Sequence, residues 1–157
     1  MSGRIYSIPF QALSLSTSTQ DLWAVTTTSS MPCEIEEIRL DPCATSVSEF
    51  NVSVALFTGS YTAGSGGTSR TPLPRVKGDA AASVTAKTQN TTQTAAGSGA
   101  KTVLDAGAWN LVNGWVWQPL DPDHRICVPV SACLVVSLDS TPASQTVSGC
   151  LVVRERY

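Results

Sequence analysis

The chain is predicted to fold as an all-β protein, an antiparallel β-sandwich that is jelly-roll-like and carries long Gly/Ser/Thr-rich loops. Three observations predict it. Short stretches alternate apolar and polar residues, most cleanly at Phe50, Val52, Val54 and Leu56, as a strand with one buried face requires. Turn signals such as Asp41-Pro42 and Asp139-Ser140-Thr141-Pro142 punctuate them, and Pro after Asp or Thr stops a ladder. No convincing amphipathic helix interrupts the series, which leaves a sandwich or barrel of about eight short strands. With 157 residues the chain has the span of one domain. Residues 1–157 therefore read as a single sandwich, with 1–20 as an N-terminal arm or edge strand and 58–78 and 89–101 as flexible loops. No repeat of about 20–50 residues is visible, which disfavours a propeller or solenoid.

At the N-terminus Tyr6, Ile8, Phe10 and Ala12 fall on one parity and Leu13 and Leu15 on the other. Strict alternation keeps one face buried, so the switch predicts a bulge or bend near Ala12. Pro9 has no N–H for a ladder, which places this segment at a sheet edge or against another chain. Leu22-Trp23-Ala24-Val25 begins a second strand and fades into a Thr/Ser run. Cys33 to Leu40 alternates again, with Glu34 and Glu36 sharing one face and Glu37 on the other. No base lies near these glutamates in sequence, so they read as a solvated sheet face. Phe50 to Leu56 is a core strand.

From Thr58 to Pro74 the texture changes to Gly, Ser, Thr and Pro, and the segment reads as a long loop. Gly64-Ser65-Gly66-Gly67 is not followed by a helix or by the Lys-Ser/Thr of a phosphate loop, so it lacks the helix N-terminus on which phosphate binding depends. Val76 to Thr94 is small and weakly alternating, an extended piece or a short helix at Asp79–Ser83. A second Gly/Ser patch at 95–99 precedes Val103-Leu104, Trp109 and Trp115-Val116-Trp117. Cys133–Leu138 and Val147–Arg154, separated by a strong turn, read as a terminal hairpin.

Composition narrows the function classes. Ten Lys and Arg face twelve Asp and Glu, a net charge of −2, leaving no basic excess for a phosphate backbone; nucleic acid is not an expected partner. Only 14% of residues are charged, whereas 20 are Ser and 18 Thr. The surface is therefore built of neutral hydroxyls. Apolar runs of four or five residues, such as Cys133-Leu134-Val135-Val136, fall far short of the roughly 20 that span a bilayer, so no membrane crossing is expected. The N-terminus runs straight into an alternating pattern without the apolar core of a secretory signal, and the chain is expected to be made in a cytoplasm.

Chemistry is sparse. Cys33, Cys43, Cys127, Cys133 and Cys150 include no C-x-x-C pair, and one histidine cannot complete a zinc cage with them. Asp121, Asp123, His124 and Cys127 are the nearest thing to a ligand cluster, set in a Pro-rich turn. No metal or other cofactor is expected, and buried thiols acting as small hydrophobes account for the cysteines. Ser-His-Asp catalysis would have to recruit His124 with Asp121 or Asp123, without a G-x-S-x-G elbow; the chain reads as no enzyme and no catalytic residue is assigned. Trp115 and Trp117, two apart, face the same way on a strand. With Trp109 they form either a sugar-stacking platform or part of a core or subunit interface.

One set of fragments carries a likeness. Arg4-Ile5-Tyr6, Gln20-Asp21-Leu22-Trp23-Ala24-Val25, Glu37-Ile38-Arg39-Leu40, Gly64-Ser65-Gly66-Gly67-Thr68, Thr71-Pro72-Leu73-Pro74, Asp79-Ala80-Ala81, Asn90-Thr91-Thr92 and Val147-Ser148-Gly149-Cys150-Leu151-Val152-Val153-Arg154-Glu155 follow one another in this order. Together the series resembles small tailed-bacteriophage virion structural proteins of the capsid decoration, or cement, type. The resemblance covers most of the chain. It implies a non-enzymatic sandwich on the exterior of a phage head, forming homotrimers and binding neighbouring copies of the major capsid protein. The five cysteines depart from that pattern.

Under this reading the positive charge concentrated at Arg70, Arg75 and Lys77 marks a capsid-contact loop, and the segment around Pro9 is a second contact candidate as an arm or edge strand. Trp109, Trp115 and Trp117 are candidates for a subunit interface or, in the alternative reading of a carbohydrate-binding head-fibre or tail module, for stacking on sugar rings.

Overall fold

The computed structural model describes residues 3–15, 19–42, 49–110, 112–139 and 145–156. In chain order the strands are β1 (Ile5–Ser14), β2 (Gln20–Thr26), β3 (Cys33–Pro42), β4 (Glu49–Thr58), β5 (Thr68–Arg70), β6 (Leu73–Pro74), β7 (Thr85–Asn90), β8 (Ala100–Asn110), β9 (Trp115–Trp117), β10 (Ile126–Val128), β11 (Cys133–Leu138) and β12 (Thr146–Glu155). A single 3₁₀ turn at Pro122–His124 is the one helical piece among the described residues. The expected alternative of a short helix at Asp79–Ser83 is not formed; a Tyr6 hydroxyl bond to the Ala80 carbonyl at 3.0 Å helps hold that stretch against β1.

One sheet runs β10-β3-β12-β1-β6, with β9 also on β3, and the other β5-β7-β2-β11-β4-β8. Every pairing is antiparallel, and β1 pairs with β12, β2 with β11, β3 with β10 and β4 with β8. That nesting of first strand on last, second on next to last, is a long hairpin rolled into two sheets, the jelly-roll arrangement.

It also overturns the expected terminal hairpin. β11 lies between β2 and β4 in one sheet, while β12 lies between β3 and β1 in the other. Period-two burial identifies a strand's faces but not its neighbours, and both strands bury apolar side chains in a common interior whichever sheet they join.

The interior is filled from both sheets by Tyr6, Ile8, Phe10, Trp23, Ile35, Ile38, Leu40, Val54, Leu134, Val136, Leu151 and Val153, among others. The parity switch in β1 is a bulge: Phe10 pairs with Gly149 and Leu13 with Val147, leaving two residues opposite Ser148. Ala12 takes a positive φ of 49° there and donates its N–H to Ser148 Oγ at 3.0 Å. The extra residue lets Leu13 and Leu15 return to the core after Phe10.

A second apolar cluster, Ala24, Ala55, Phe57, Cys133 and Val135, lies on the other face of the β2-β11-β4 sheet. The two Gly/Ser-rich segments cover it. Thr62 and Ala95 exchange both backbone hydrogen bonds at 2.8 and 3.0 Å, as do Ser65 and Thr92 at 3.1 Å, and Tyr61 and Ala96 pack down on the cluster. The segments expected as flexible loops at 58–78 and 89–101 therefore hold bridges and the short strands β5 and β6. Small residues, which suggest a loop, also allow two backbones to approach closely.

Candidate functional site

The fragments behind the family likeness come together in space. Leu22 is skipped in the register between β2 and β11, so Trp23 faces the core while Asp21 faces the cover layer. Asp21 Oδ2 accepts from Thr94 N–H and Thr94 Oγ1–H, both at 2.8 Å, and from Asn90 Nδ2 at 3.4 Å; Oδ1 accepts from Ser137 Oγ at 3.2 Å. Gly64 N–H donates to Thr94 Oγ1 at 3.1 Å. A Cβ on Gly64 would lie 2.5 Å from Asn90 Nδ2 and 2.8 Å from Asp21 Oδ2, so the glycine loop sits where only bare backbone fits. The carboxylate is buried yet surrounded by donors, which offsets its loss of water.

Two further junctions tie distant fragments. Gly149 on β12 lies beneath the Trp23 ring, whose Nε1–H donates to the Ile8 carbonyl at 3.0 Å. The Glu155 carboxylate, also buried, accepts from Ser83 N–H at 2.5 Å, Ser83 Oγ at 2.6 Å and Val84 N–H at 3.0 Å. Arg4 approaches Asp79 at 3.9 Å. These contacts organise the fold.

The capsid-contact candidates lie along one border of the sandwich, where the chain passes from β5 in one sheet to β6 in the other. Arg70 donates from Nε to Thr88 Oγ1 at 3.1 Å, Arg75 donates from Nε to Ser7 Oγ at 2.8 Å, and Lys77 is exposed. Arg70 and Lys87 help line a largely apolar hollow of about 330 Å³ together with Pro72, Ala82, Val84 and Ala86. Pro9 is exposed on β1 opposite Cys150 of β12. On the other side of β1 the two-residue β6 reaches only Tyr6 and Ser7, so at Pro9 β1 is effectively a sheet edge, where a missing N–H is tolerated.

The three tryptophans form no open shelf. Trp109 is 2% exposed, packs on Phe50 at 6.5 Å between ring centroids and donates Nε1–H to the Asn113 carbonyl at 2.6 Å. Trp115 and Trp117 are half-buried against the same interior, and the residue between them, Val116, points out.

Sequence reasoning missed an ionic cluster on the outer face of the β3-β12 sheet. Glu34 and Glu36, read as solvated, are instead gripped by arginines. Arg125 Nε meets Glu36 Oε2 at 3.0 Å, Arg154 binds the other Glu36 oxygen, and Arg156 meets Glu34 Oε1 at 2.7 Å. The sequence shows Glu34 and Glu36 two apart on one strand and Arg154 and Arg156 two apart at the other chain end, but only the register, which pairs Arg154 with Glu34, brings them together. Around these groups lies a polar pocket of about 190 Å³.

His124 Nδ1 sits 2.8 Å from Asp121 Oδ2, and Asp121 also caps the 3₁₀ turn by accepting from Asp123 and His124 N–H. The hydrogen bond from His124 holds the Asp121 carboxyl below the usual carboxylate range. The pair is a solvent-exposed cap. Among the described residues no three His, Cys, Asp or Glu side chains gather as a metal cage. Cys33, Cys127, Cys133 and Cys150 are free thiols, and Cys43 lies outside the described residues. No family model, curated protein or solved structure matches the chain.

Proposed function

We propose that this chain is a non-enzymatic virion structural protein that decorates a phage head, binding the outer surface of the major capsid protein and bracing contacts between its copies. The observation that carries the reading is the convergence of the resembling fragments: Asp21, Gly64 and Asn90 meet in one buried constellation, joined by Thr94 from outside them, and Trp23 meets Gly149. The likeness therefore follows the folding logic of the whole chain. A hydroxyl-rich surface with few ions supports the reading too, since neutral groups are buried against a partner at less desolvation cost than unpaired charges. The cationic border at Arg70, Arg75 and Lys77 is the contact region under this proposal.

The test is to mix the purified protein with undecorated heads, sediment them, and image labelled particles. Co-sedimentation with a regular exterior array is the expected result. Heads that sediment bare, or particles labelled only on the tail, overturn the proposal. The carbohydrate reading has no comparable support, because Trp109 is buried and its neighbours pack inward.

A further inference from the structure

The sheet edges of this molecule are treated unequally. β5, β9 and β10 are three residues long and β6 two, and Pro72, Pro74 and Pro129 stand in or beside these short strands. Short strands and prolines are the usual means of preventing a sheet from recruiting a neighbour. β8 is different. It is the terminal strand of its sheet, eleven residues long, and among the described residues it pairs with β4 from Ala100 to Asn110 and with no other strand. Its other edge offers a row of backbone donors and acceptors, and eight of its eleven residues are exposed, among them Ala106, Gly107 and Ala108, whereas Trp109 is buried and Asp105 and Asn110 are half-buried.

The register with β4 skips Leu104, dividing the strand in two. Lys101 in the first half sits over the Phe57 ring at 5.7 Å. The second half, Asp105-Ala106-Gly107-Ala108-Trp109-Asn110, is regular, contains no proline and carries one charge. Gly107 at its middle has no internal explanation. A Cβ there would meet nothing within 4 Å, and its φ is not positive. Glycine weakens a strand, and where no turn or internal packing demands it, it marks a place where another backbone comes close.

We propose that this half of β8 pairs antiparallel with the same half-strand of a second copy, about a two-fold axis at Gly107. Each copy then supplies the same patch. Gly107 lies opposite Gly107 of the second copy, Ala106 opposite Ala108, and Asp105 opposite Trp109. The only charge of the segment therefore never meets its like, and the smallest side chains lie on the axis. Pairs stay on matching faces because the alternation is unbroken from Asp105 to Asn110. Exposed Val103 and Leu104, 52% and 41% accessible, border the junction. The inference goes beyond the proposed head binding and does not depend on it; it specifies a two-fold contact where the resemblance implies homotrimers.

Light scattering of the full chain tests it. The wild type should give twice the chain mass at high micromolar concentration. The double variant Ala106→Lys/Ala108→Lys sets ammonium against ammonium across the axis and should give the chain mass with an unchanged circular dichroism spectrum. In Ala106→Lys/Ala108→Glu the same positions face each other with opposite charge, and the doubled mass should return. A monomeric wild type, or a wild-type oligomer that the double-lysine variant leaves intact, overturns the edge contact. Head binding by the double-lysine variant, measured separately, reports on the capsid proposal, so either can fail while the other stands.

Discussion

Gly149 and Trp23 are fitted to each other: a methyl group at position 149 would lie 2.6 Å from the Trp23 Cη2 and 2.8 Å from the Arg39 carbonyl oxygen. The indole cannot withdraw without breaking its bond to the Ile8 carbonyl, and the Arg39 carbonyl belongs to a paired strand. Gly149→Ala should therefore destabilise the fold by about 3 kcal/mol, at the upper end of overpacking effects. Urea denaturation measures it; a midpoint equal to that of the wild type would show that the two sheets have slack at this point.

Asp21 holds the cover layer to the sheet beneath through Thr94, Asn90 and Ser137. Asp21→Ala leaves buried donors without an acceptor, and a loss of about 3 kcal/mol is expected, since bonds to charged groups carry most of such a network. The damage should be local first. Limited proteolysis is expected to cut between Thr58 and Gly67 in the variant and not in the wild type.

Burial pushes the Cys33 thiol up to about 12 and the Cys133 thiol to about 11, from an ordinary 9.0. Each is held neutral in the fold while the unfolded chain can ionise. Their contribution is complete below pH 9.0 and declines as pH rises from there toward 11 and 12, because the unfolded state then binds fewer protons. Stability should fall across that window, and Cys33→Ala should flatten the decline. A thiol reagent at pH 8 should modify exposed Cys127 well before either buried group.

The tryptophans should emit at short wavelength, and host polysaccharide should leave the emission unchanged, because Trp109 is enclosed and Trp115 and Trp117 pack on the interior. A saturable change on titration would restore the sugar-binding alternative.

Replacing Arg70, Arg75 and Lys77 together by Ser should weaken association with heads and flatten its dependence on salt, as expected for charges at the rim of an interface. Arg70 and Arg75 each bond a single hydroxyl, so the loss in thermal stability should be small, within about 1 kcal/mol for exposed polar contacts. Unchanged binding would move the contact elsewhere.

The fold was legible where one face of a strand is buried and the other is not. Phe50, Val52 and Val54 announced β4, and the change of parity between Phe10 and Leu13 announced the bulge at Ala12. It was illegible where burial is two-sided or absent. All six residues of β11 are buried, because the cover layer lies on its second face, and β8 is exposed over most of its length up to the buried Trp109, so neither alternates clearly. Strand partners were hidden for a different reason: Cys133–Leu138 and Thr146–Glu155 are neighbours in sequence but belong to opposite sheets. Of the candidate contact residues, the sequence identified the cationic border through charge alone. The arginine grip on Glu34 and Glu36 depends on bringing the C-terminal strand beside the third, which only the assembled sheet does.

Because the first strand lies against the last, with Ile5 beside Arg154 and the Glu155 N–H bonded to the Arg4 carbonyl at 2.9 Å, the two ends of the sandwich leave from a single corner. A fluorophore or fusion partner attached at either end occupies the same position on the body, beside the cationic border, because the Arg75 N–H bonds the Ile5 carbonyl at 2.9 Å. A short peptide bridge across that corner would close the chain into a ring, allowing new ends to be opened at the exposed turn around Gly78.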